Sequence, residues 1–218
     1  MERLPPTHTF AKKSMKKIWF PCLLVGLLAC GDERKQETAA IDAPTGTTAP
    51  ASPAATPLEA EIGAVLNAYY GLKEALVEAD SLKAGKMASE LQILADSLDL
   101  SKMEADSTGR EGMRGLLGDV SAEAKGLAGE NSLTEQRRSF SMLSQQMLPL
   151  LREAGYASST VWQQTCPMAF NDSETASWLS DKREIRNPYL GMKHPKYAAG
   201  MLHCGELGDS IVARTGNR

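Results

Sequence analysis

The side chains best suited to chemistry lie near the C-terminus of the 218-residue chain. Met168 follows Cys166 after one intervening residue, and Met201 is followed closely by His203 and Cys204. Thiolate and thioether groups prefer soft metal ions such as Cu(I), and imidazole tolerates the same ion. These five residues are therefore the candidate metal ligands, provided that the chain folds back on itself to bring them together.

The two cysteines are equally candidates for a disulfide bond. An even pair of cysteines in an exported protein is typical of a disulfide, because the compartment is oxidising. Cys166 and Cys204 are about 38 residues apart, and closing such a loop stabilises a fold by about 4 kcal/mol on the chain-entropy model. A reversible pair binds metal when reduced and closes when oxidised, so the two roles do not exclude each other. A third alternative, that neither role applies, stays open.

A catalytic role has less support from the sequence. Cys166 as nucleophile and His203 as general base are the right residue types, but no motif context and no third orienting group accompanies them. The thioethers of Met168 and Met201 help a soft metal site and contribute nothing to acyl transfer. We therefore predict that the protein is not an enzyme.

The N-terminal segment predicts export as a lipoprotein. Lysines precede an apolar run from Ile18 to Ala29, which is too short to span a bilayer as a helix and is typical of a signal peptide. The run ends in Leu-Leu-Ala-Cys, which resembles the bacterial lipobox, so we expect residues 1–29 to be removed and Cys30 to carry lipid. Gly31 is not the Asp of an inner-membrane retention signal, which favours the outer membrane, with the domain in the periplasm or exposed outside.

Charge limits the partners of the mature chain. Removal of residues 1–29 takes away five of the 24 basic residues and one of the 27 acidic ones, which leaves a net charge of −7. This acidic balance argues against a nucleic acid partner. It also gives no polybasic reason to bind a lipid surface, so the lipid on Cys30 is the expected membrane contact.

The remaining chain divides into a tether, a domain and a short tail. Residues 30–56 are rich in Ala, Thr and Pro with almost no large apolar side chain, and such a segment cannot offset the entropy of ordering. We expect it to be a flexible tether. Residues 57–212 then form one helical domain with a C-terminal lobe that contains the Cys, Met and His residues, and residues 213–218 are a tail.

Apolar periodicity predicts four helices within this domain. Thr56, Pro57 and Glu59 form a capping signal for the first helix, Asp80 can cap the second, the third starts at about Arg110, and Ser132 with Glu135 opens the fourth. The fold class is therefore mainly α, an antiparallel bundle of about four helices. We expect the charges of the first helices to be solvated and the glycines of the third to permit close helix contact. The apolar stripes are Leu58, Ile62, Val65, Leu66, Tyr69, Leu72 and Leu76; Leu82, Met87, Leu91, Leu94 and Leu98; Met113, Leu116, Leu117, Val120, Ala124 and Leu127; Phe140, Leu143, Met147 and Leu151.

The C-terminal lobe is predicted to be irregular, with a short extended segment. Residues 160–165 are β-branched and aromatic in a run, which favours an extended segment, and Pro167 is expected to fix a turn after it. The residues that follow are rich in Trp, Pro, Asn and Gly, which is typical of an ordered irregular lobe.

Short motifs spread over this domain resemble one known family. The chain from about residue 60 to 212 is similar to the domain of unknown function 3347 family, whose function is uncharacterised. Similar domains accompany metal-efflux adaptor proteins, so the resemblance implies a link to soft metals and to efflux or other envelope proteins as partners. Residues 194–200 depart from the pattern as an insertion. The matching residues are Tyr69, Tyr70, Leu72, Lys73, Ala75 and Leu76, then Cys166, Pro167, Met168, Ala169, Phe170, Trp178, Leu179, Ile185, Asn187, Pro188, Tyr189, Gly191, Met201, Cys204 and Gly205.

Together these features predict a lipid-anchored envelope protein that binds a soft metal ion such as Cu(I) for sequestration or handover. The alternative is a non-enzymatic interaction module of the envelope, stapled by a Cys166–Cys204 disulfide.

Overall fold

The structure is a computed structural model that describes residues 56–214. The expected signal peptide, the lipidation site Cys30, the tether up to residue 55 and the last four residues of the tail lie outside the described residues. Each helix within residues 56–214 is too short or too polar to cross a membrane.

Four α-helices make up most of the described chain, which confirms the mainly α fold class. The side chain of the residue before each helix accepts a hydrogen bond from a backbone N–H in the first turn: Thr56, Asp80, Asp106 and Ser132 serve as these N-caps. Thr56 and Glu59 form the expected reciprocal capping box. The helices are α1 (Pro57–Glu78), α2 (Ser81–Ser97), α3 (Ser107–Gly129) and α4 (Leu133–Glu153).

Helix α1 has the most buried residues of the four helices, and every residue of its predicted apolar stripe is buried. The stripe predicted for α2 is wrong at its start, because Leu82 is 82% exposed. Helix α2 instead buries Leu91 with Ala84, Ala88 and Ala95, which recur at helical spacing. Small side chains on this face let α2 pack against its neighbours, so the three alanines, rather than Leu82, mark its inner side.

The glycines of α3 do not serve close helix packing. A Cβ atom added at Gly112, Gly115, Gly118 or Gly126 would meet no other group within 4 Å. These glycines therefore face open space, and the expectation that they allow a neighbouring helix to approach is wrong. The buried face of α3 otherwise follows the predicted stripe, from Met113 to Leu127.

The C-terminal lobe contains a three-stranded antiparallel sheet rather than one extended segment. Its strands are β1 (Val161–Phe170), β2 (Glu174–Ser180) and β3 (Glu206–Ile211), in the order β2-β1-β3. The turn expected at Pro167 is wrong, because β1 continues through it. Pro167 is exposed and lies where the β1–β2 register shifts between Cys166 and Phe170, a place where a missing N–H is tolerated in a sheet.

Bundle and sheet share one core. The Tyr69 hydroxyl lies 2.7 Å from Ser144 Oγ on α4 and accepts a hydrogen bond from the Leu179 backbone N–H at 3.0 Å. Burial raises the pKa of Tyr69, so its hydroxyl keeps its proton. The same aromatic cluster includes Phe140 and Tyr189. The lobe is therefore fixed on the bundle through α1 and α4.

Lys73 gives a second link and corrects the expectation of a solvated charged face on α1. Its side chain is only 3% exposed, and its ammonium donates to Ser180 Oγ at 3.2 Å and pairs with Glu74 at 3.2 Å. Glu74 in turn pairs with Arg186 at 3.0 Å. This chain of contacts ties the middle of α1 to the end of β2 and the loop beyond it.

Candidate thiol site

Two of the predicted site residues meet in the structure. Cys166 Sγ and Cys204 Sγ are 3.1 Å apart, and both cysteines are free thiols. Cys166 is fully buried within β1, where it lies opposite Ala176 of β2. Cys204 is partly exposed and comes two residues before β3. The pair therefore has one thiol inside the core and one that solvent can reach.

The chain approaches Cys166 so closely because glycine follows Cys204. Gly205 has a φ of 153°, and a Cβ there would lie 3.0 Å from the Trp178 ring and 3.1 Å from the Thr165 carbonyl oxygen. A larger residue would push this segment away from β1. On the other side, the Cys204 N–H donates to the Met201 carbonyl at 3.0 Å. A turn and a tight glycine contact thus place Cys204 over Cys166.

The Cys204 thiol is a weak acid. Burial, followed by the neighbouring Cys166 thiol, raises its pKa to about 11. Cys204 is therefore protonated at neutral pH. A metal ion or an oxidant that uses this sulfur must displace its proton, because the thiolate is the reactive and coordinating form.

Met168 and Met201 both lie partly buried against the hydrophobic core to which Cys166 belongs. In a regular strand Met168 would lie on the same side as Cys166, but the alternation breaks after Cys166: Ala169 is buried and Met168 is only partly so. The register shift in this part of β1 accounts for the break. The thioethers are thus in the same lobe as the thiols, on less regular backbone than predicted.

His203 is exposed, and its imidazole is engaged elsewhere. Its Nδ1 lies 2.8 Å from the Ile185 carbonyl oxygen, so Nδ1 carries the proton and donates it. In the described part of the chain, no three or more His, Cys, Asp or Glu side chains are placed to hold a metal ion. The structure therefore brings together the two cysteines of the predicted set and leaves His203 apart from them.

Sequence reasoning missed what positions the thiols. Asn187 and Gly205 stood in the family-like motif, yet periodicity and composition assigned them no role. Asn187 is fully buried and donates from Nδ2 to the Cys204 carbonyl oxygen at 2.8 Å. A polar residue in a short Asn-Pro-Tyr motif between Trp178 and Cys204 was the available signal.

Fold and site together define a four-helix domain with a small antiparallel sheet that carries a thiol pair. Residues 65–159 match the family described as "Protein of unknown function (DUF3347)". The matched residues run from α1 to the loop before β1, so the thiol lobe follows them. No curated protein and no solved structure matches the chain.

Proposed function

We propose that this is a non-catalytic, lipid-anchored protein of the bacterial envelope whose reduced Cys166–Cys204 pair binds a soft metal ion such as Cu(I), for sequestration or handover. The observation that carries the proposal is the 3.1 Å separation of two free thiols, one buried and one partly exposed. Two thiols at this distance can act on one ion together, which a single surface thiol cannot do.

The distance between the sulfurs is suited to such an ion after a small movement. With metal–thiolate bonds of about 2.3 Å, two sulfurs around one ion are separated by roughly 3.8 Å to 4.6 Å, depending on the angle at the metal. From 3.1 Å the pair must open by about 1 Å. Cys166 is fully buried within β1 and Cys204 is partly exposed, so the Cys204 side chain is the one that can rotate to open the pair.

The chemistry of the donors favours a soft ion. Both thiols must lose their protons, so one Cu(I) bound by two thiolates releases two protons. Met168 and Met201, which pack against the same core as Cys166, offer thioethers as further soft ligands. The raised pKa of Cys204 makes binding stronger as pH increases, because the competing proton is lost more easily.

Residues outside the described range complete the proposal. The predicted lipid on Cys30 would hold the domain at a membrane, and the partner for handover would be an efflux protein or another envelope protein. Release to such a partner suits the partial exposure of Cys204, because ligand exchange needs access to the donor atom.

Competition for Cu(I) against a chelator of known affinity tests the proposal. Cys166→Ser and Cys204→Ser should each abolish binding, since one thiolate remains. Met168→Leu and Met201→Leu should weaken binding at nearly unchanged stability, because volume and apolarity are conserved. His203→Ala serves as the matched control and should bind like the unmodified protein, since the imidazole faces the Ile185 carbonyl. Equal affinity in both cysteine variants and the unmodified protein contradicts the proposal.

The second candidate function is the interaction module closed by a Cys166–Cys204 disulfide. It is favoured by two observations: no third His, Cys, Asp or Glu ligand joins the pair among residues 56–214, and closure from 3.1 Å to a bond of about 2.05 Å needs a movement of only about 1 Å. A protein that stays oxidised under envelope conditions and takes up no copper after reduction supports this candidate.

A further inference from the structure

Asn187 makes three side-chain hydrogen bonds, one of which leads to the thiol pair. Its Oδ1 accepts from the backbone N–H groups of Tyr189 at 2.9 Å and Leu190 at 3.0 Å. Its Nδ2 donates to the Cys204 carbonyl oxygen at 2.8 Å. Two donors face one end of the amide and a carbonyl faces the other, so the orientation of the side chain is unambiguous.

The backbone of Asn187 adds a second contact to the same turn. Its N–H donates to the Leu202 carbonyl oxygen at 2.8 Å. Residues 201–204, which carry Met201 and Cys204, are thus held at two points by one fully buried residue. Because buried hydrogen bonds of this kind are expensive to break, Asn187 fixes where the Cys204 backbone lies relative to Cys166.

Asn187 is itself anchored to the bundle. The turn that follows it places Leu190 beside Arg137 of α4, whose guanidinium donates to the Leu190 carbonyl at 3.4 Å and to the Leu76 carbonyl at 3.1 Å. The turn therefore gives Asn187 a rigid base from which to hold Cys204.

We infer that Asn187 is the positioning residue of the thiol pair: its Nδ2 bond to the Cys204 carbonyl holds the two sulfurs together and sets the equilibrium between dithiol and disulfide. This inference rests on the proposed function, in which the pair is reversible. In the closing reaction with glutathione disulfide, both thiols lose their protons and the protein gains one S–S bond. The two electrons reduce glutathione disulfide to two glutathione thiols, which take up the two protons.

Asn187→Asp tests the hydrogen bond to the Cys204 carbonyl separately from the bonds by which Asn187 supports the turn at Tyr189 and Leu190. The aspartate keeps an oxygen for the Tyr189 and Leu190 N–H groups but replaces the Nδ2 donor with an oxygen that faces the Cys204 carbonyl. We expect the equilibrium constant for disulfide closure in glutathione buffers to fall about tenfold or more, which corresponds to a rise in reduction potential of about 30 mV.

Tyr189→Phe is the matched control. It removes one buried hydrogen bond from the same turn, that to the Ser177 carbonyl, and leaves the Asn187–Cys204 bond in place. The equilibrium constant for disulfide closure in Tyr189→Phe should stay within about twofold of that of the unmodified protein. This should hold even if Tyr189→Phe loses as much stability as Asn187→Asp.

If Asn187→Asp does not fold, a measurement on the unmodified protein tests the positioning role of Asn187. Coupling between two sites is reciprocal, so closing the pair must change the environment of the Asn187 side-chain amide. Its NMR resonances should shift between the reduced and oxidised protein. Those of Gln136, a buried amide that donates to the Ser81 carbonyl, should not shift.

The outcomes separate the inference from the proposed function. An unmodified pair that neither closes nor binds Cu(I) contradicts both. A pair that closes normally, with an Asn187→Asp constant within twofold of the original or with Asn187 amide resonances that do not move, overturns the positioning role alone. A tenfold lower constant in Asn187→Asp, with Tyr189→Phe unchanged, establishes it.

Discussion

Gly191 and Gly155 form a natural pair for testing how the turn after Asn187 is seated on the bundle. Their φ angles are nearly equal, 61° and 62°, so both occupy the left-handed region that disfavours a Cβ atom. Their surroundings differ. A Cβ at Gly155 would meet nothing within 4 Å, whereas one at Gly191 would lie 2.6 Å from the Arg137 guanidinium and 2.8 Å from the Val77 carbonyl oxygen.

The loss of unfolding free energy in each alanine variant follows from these contacts. The backbone conformation alone costs about 1 to 2 kcal/mol in either alanine variant. Gly191→Ala adds roughly 1 to 3 kcal/mol for overpacking and displaces Arg137, whose burial lowers its pKa to about 10. A buried cation that loses a hydrogen bond costs about 1.5 to 3 kcal/mol more. We therefore expect Gly155→Ala to lose about 1 to 2 kcal/mol and Gly191→Ala about 4 to 8 kcal/mol of unfolding free energy.

Equilibrium unfolding in urea, followed by far-UV circular dichroism with the cysteines kept reduced, measures both values. The difference between the two variants isolates the steric contact, because the backbone term is common to both. If the two variants lose the same free energy to within about 1 kcal/mol, the Gly191 loop does not press on Arg137 and α1 as described.

Three further predictions concern α2, α3 and the thiols. Gly115→Ala and Gly118→Ala should each raise the unfolding free energy by up to about 1 kcal/mol, because both glycines face open space; a loss in urea unfolding would reveal a contact there. Leu91→Ala should lose about 3 kcal/mol and Leu82→Ala almost nothing, since the first is 0% and the second 82% exposed; equal losses in the same assay would contradict this packing of α2. The raised pKa of Cys204, about 11, favours the protonated folded state. The reduced protein should therefore be stable below the ordinary thiol pKa of about 9 and lose stability as pH rises from 9 to 11, while alkylation of Cys204 accelerates over the same interval; a rate that levels off at pH 9 would show an unperturbed thiol.

Features set by neighbouring residues could be predicted from the sequence. The Thr56–Glu59 capping box and the apolar stripe of α1 involve residues three or four positions apart, and the structure confirms both. Contacts across the chain could not. Lys73 is buried because Ser180, 107 residues away, accepts from its ammonium. No helical periodicity contains that information.

The structure of the C-terminal lobe likewise depends on contacts between residues that are distant in the sequence. The β-branched run predicted an extended segment, and β1 begins there. The pairing of β1 with β3 joins Thr165 to Glu206, and such distant register depends on tertiary packing rather than on local propensity. Pro167 on its own predicts a turn. Its exposed position at the β1–β2 register shift allows it to lie within β1 instead.

For the site, the sequence supplied the residue types and the structure supplied their placement. The structure brings the thiols of Cys166 and Cys204 together, which the spacing of the two residues in the sequence could not decide. His203 was a predicted metal ligand because it is adjacent to Cys204 in the sequence. Its ring is instead directed to the Ile185 carbonyl, 18 residues away. The lipidation of Cys30 and the tether fall outside the described residues and stay predictions.

Counting free thiols and bound copper in the purified protein, before and after mild reduction in the presence of Cu(I), tests whether the Cys166–Cys204 pair binds the metal. We expect one Cu(I) per chain after reduction, protection of both Cys166 and Cys204 from alkylation, and release of two protons. Two thiols that stay reactive, with no copper retained after reduction, would contradict this expectation.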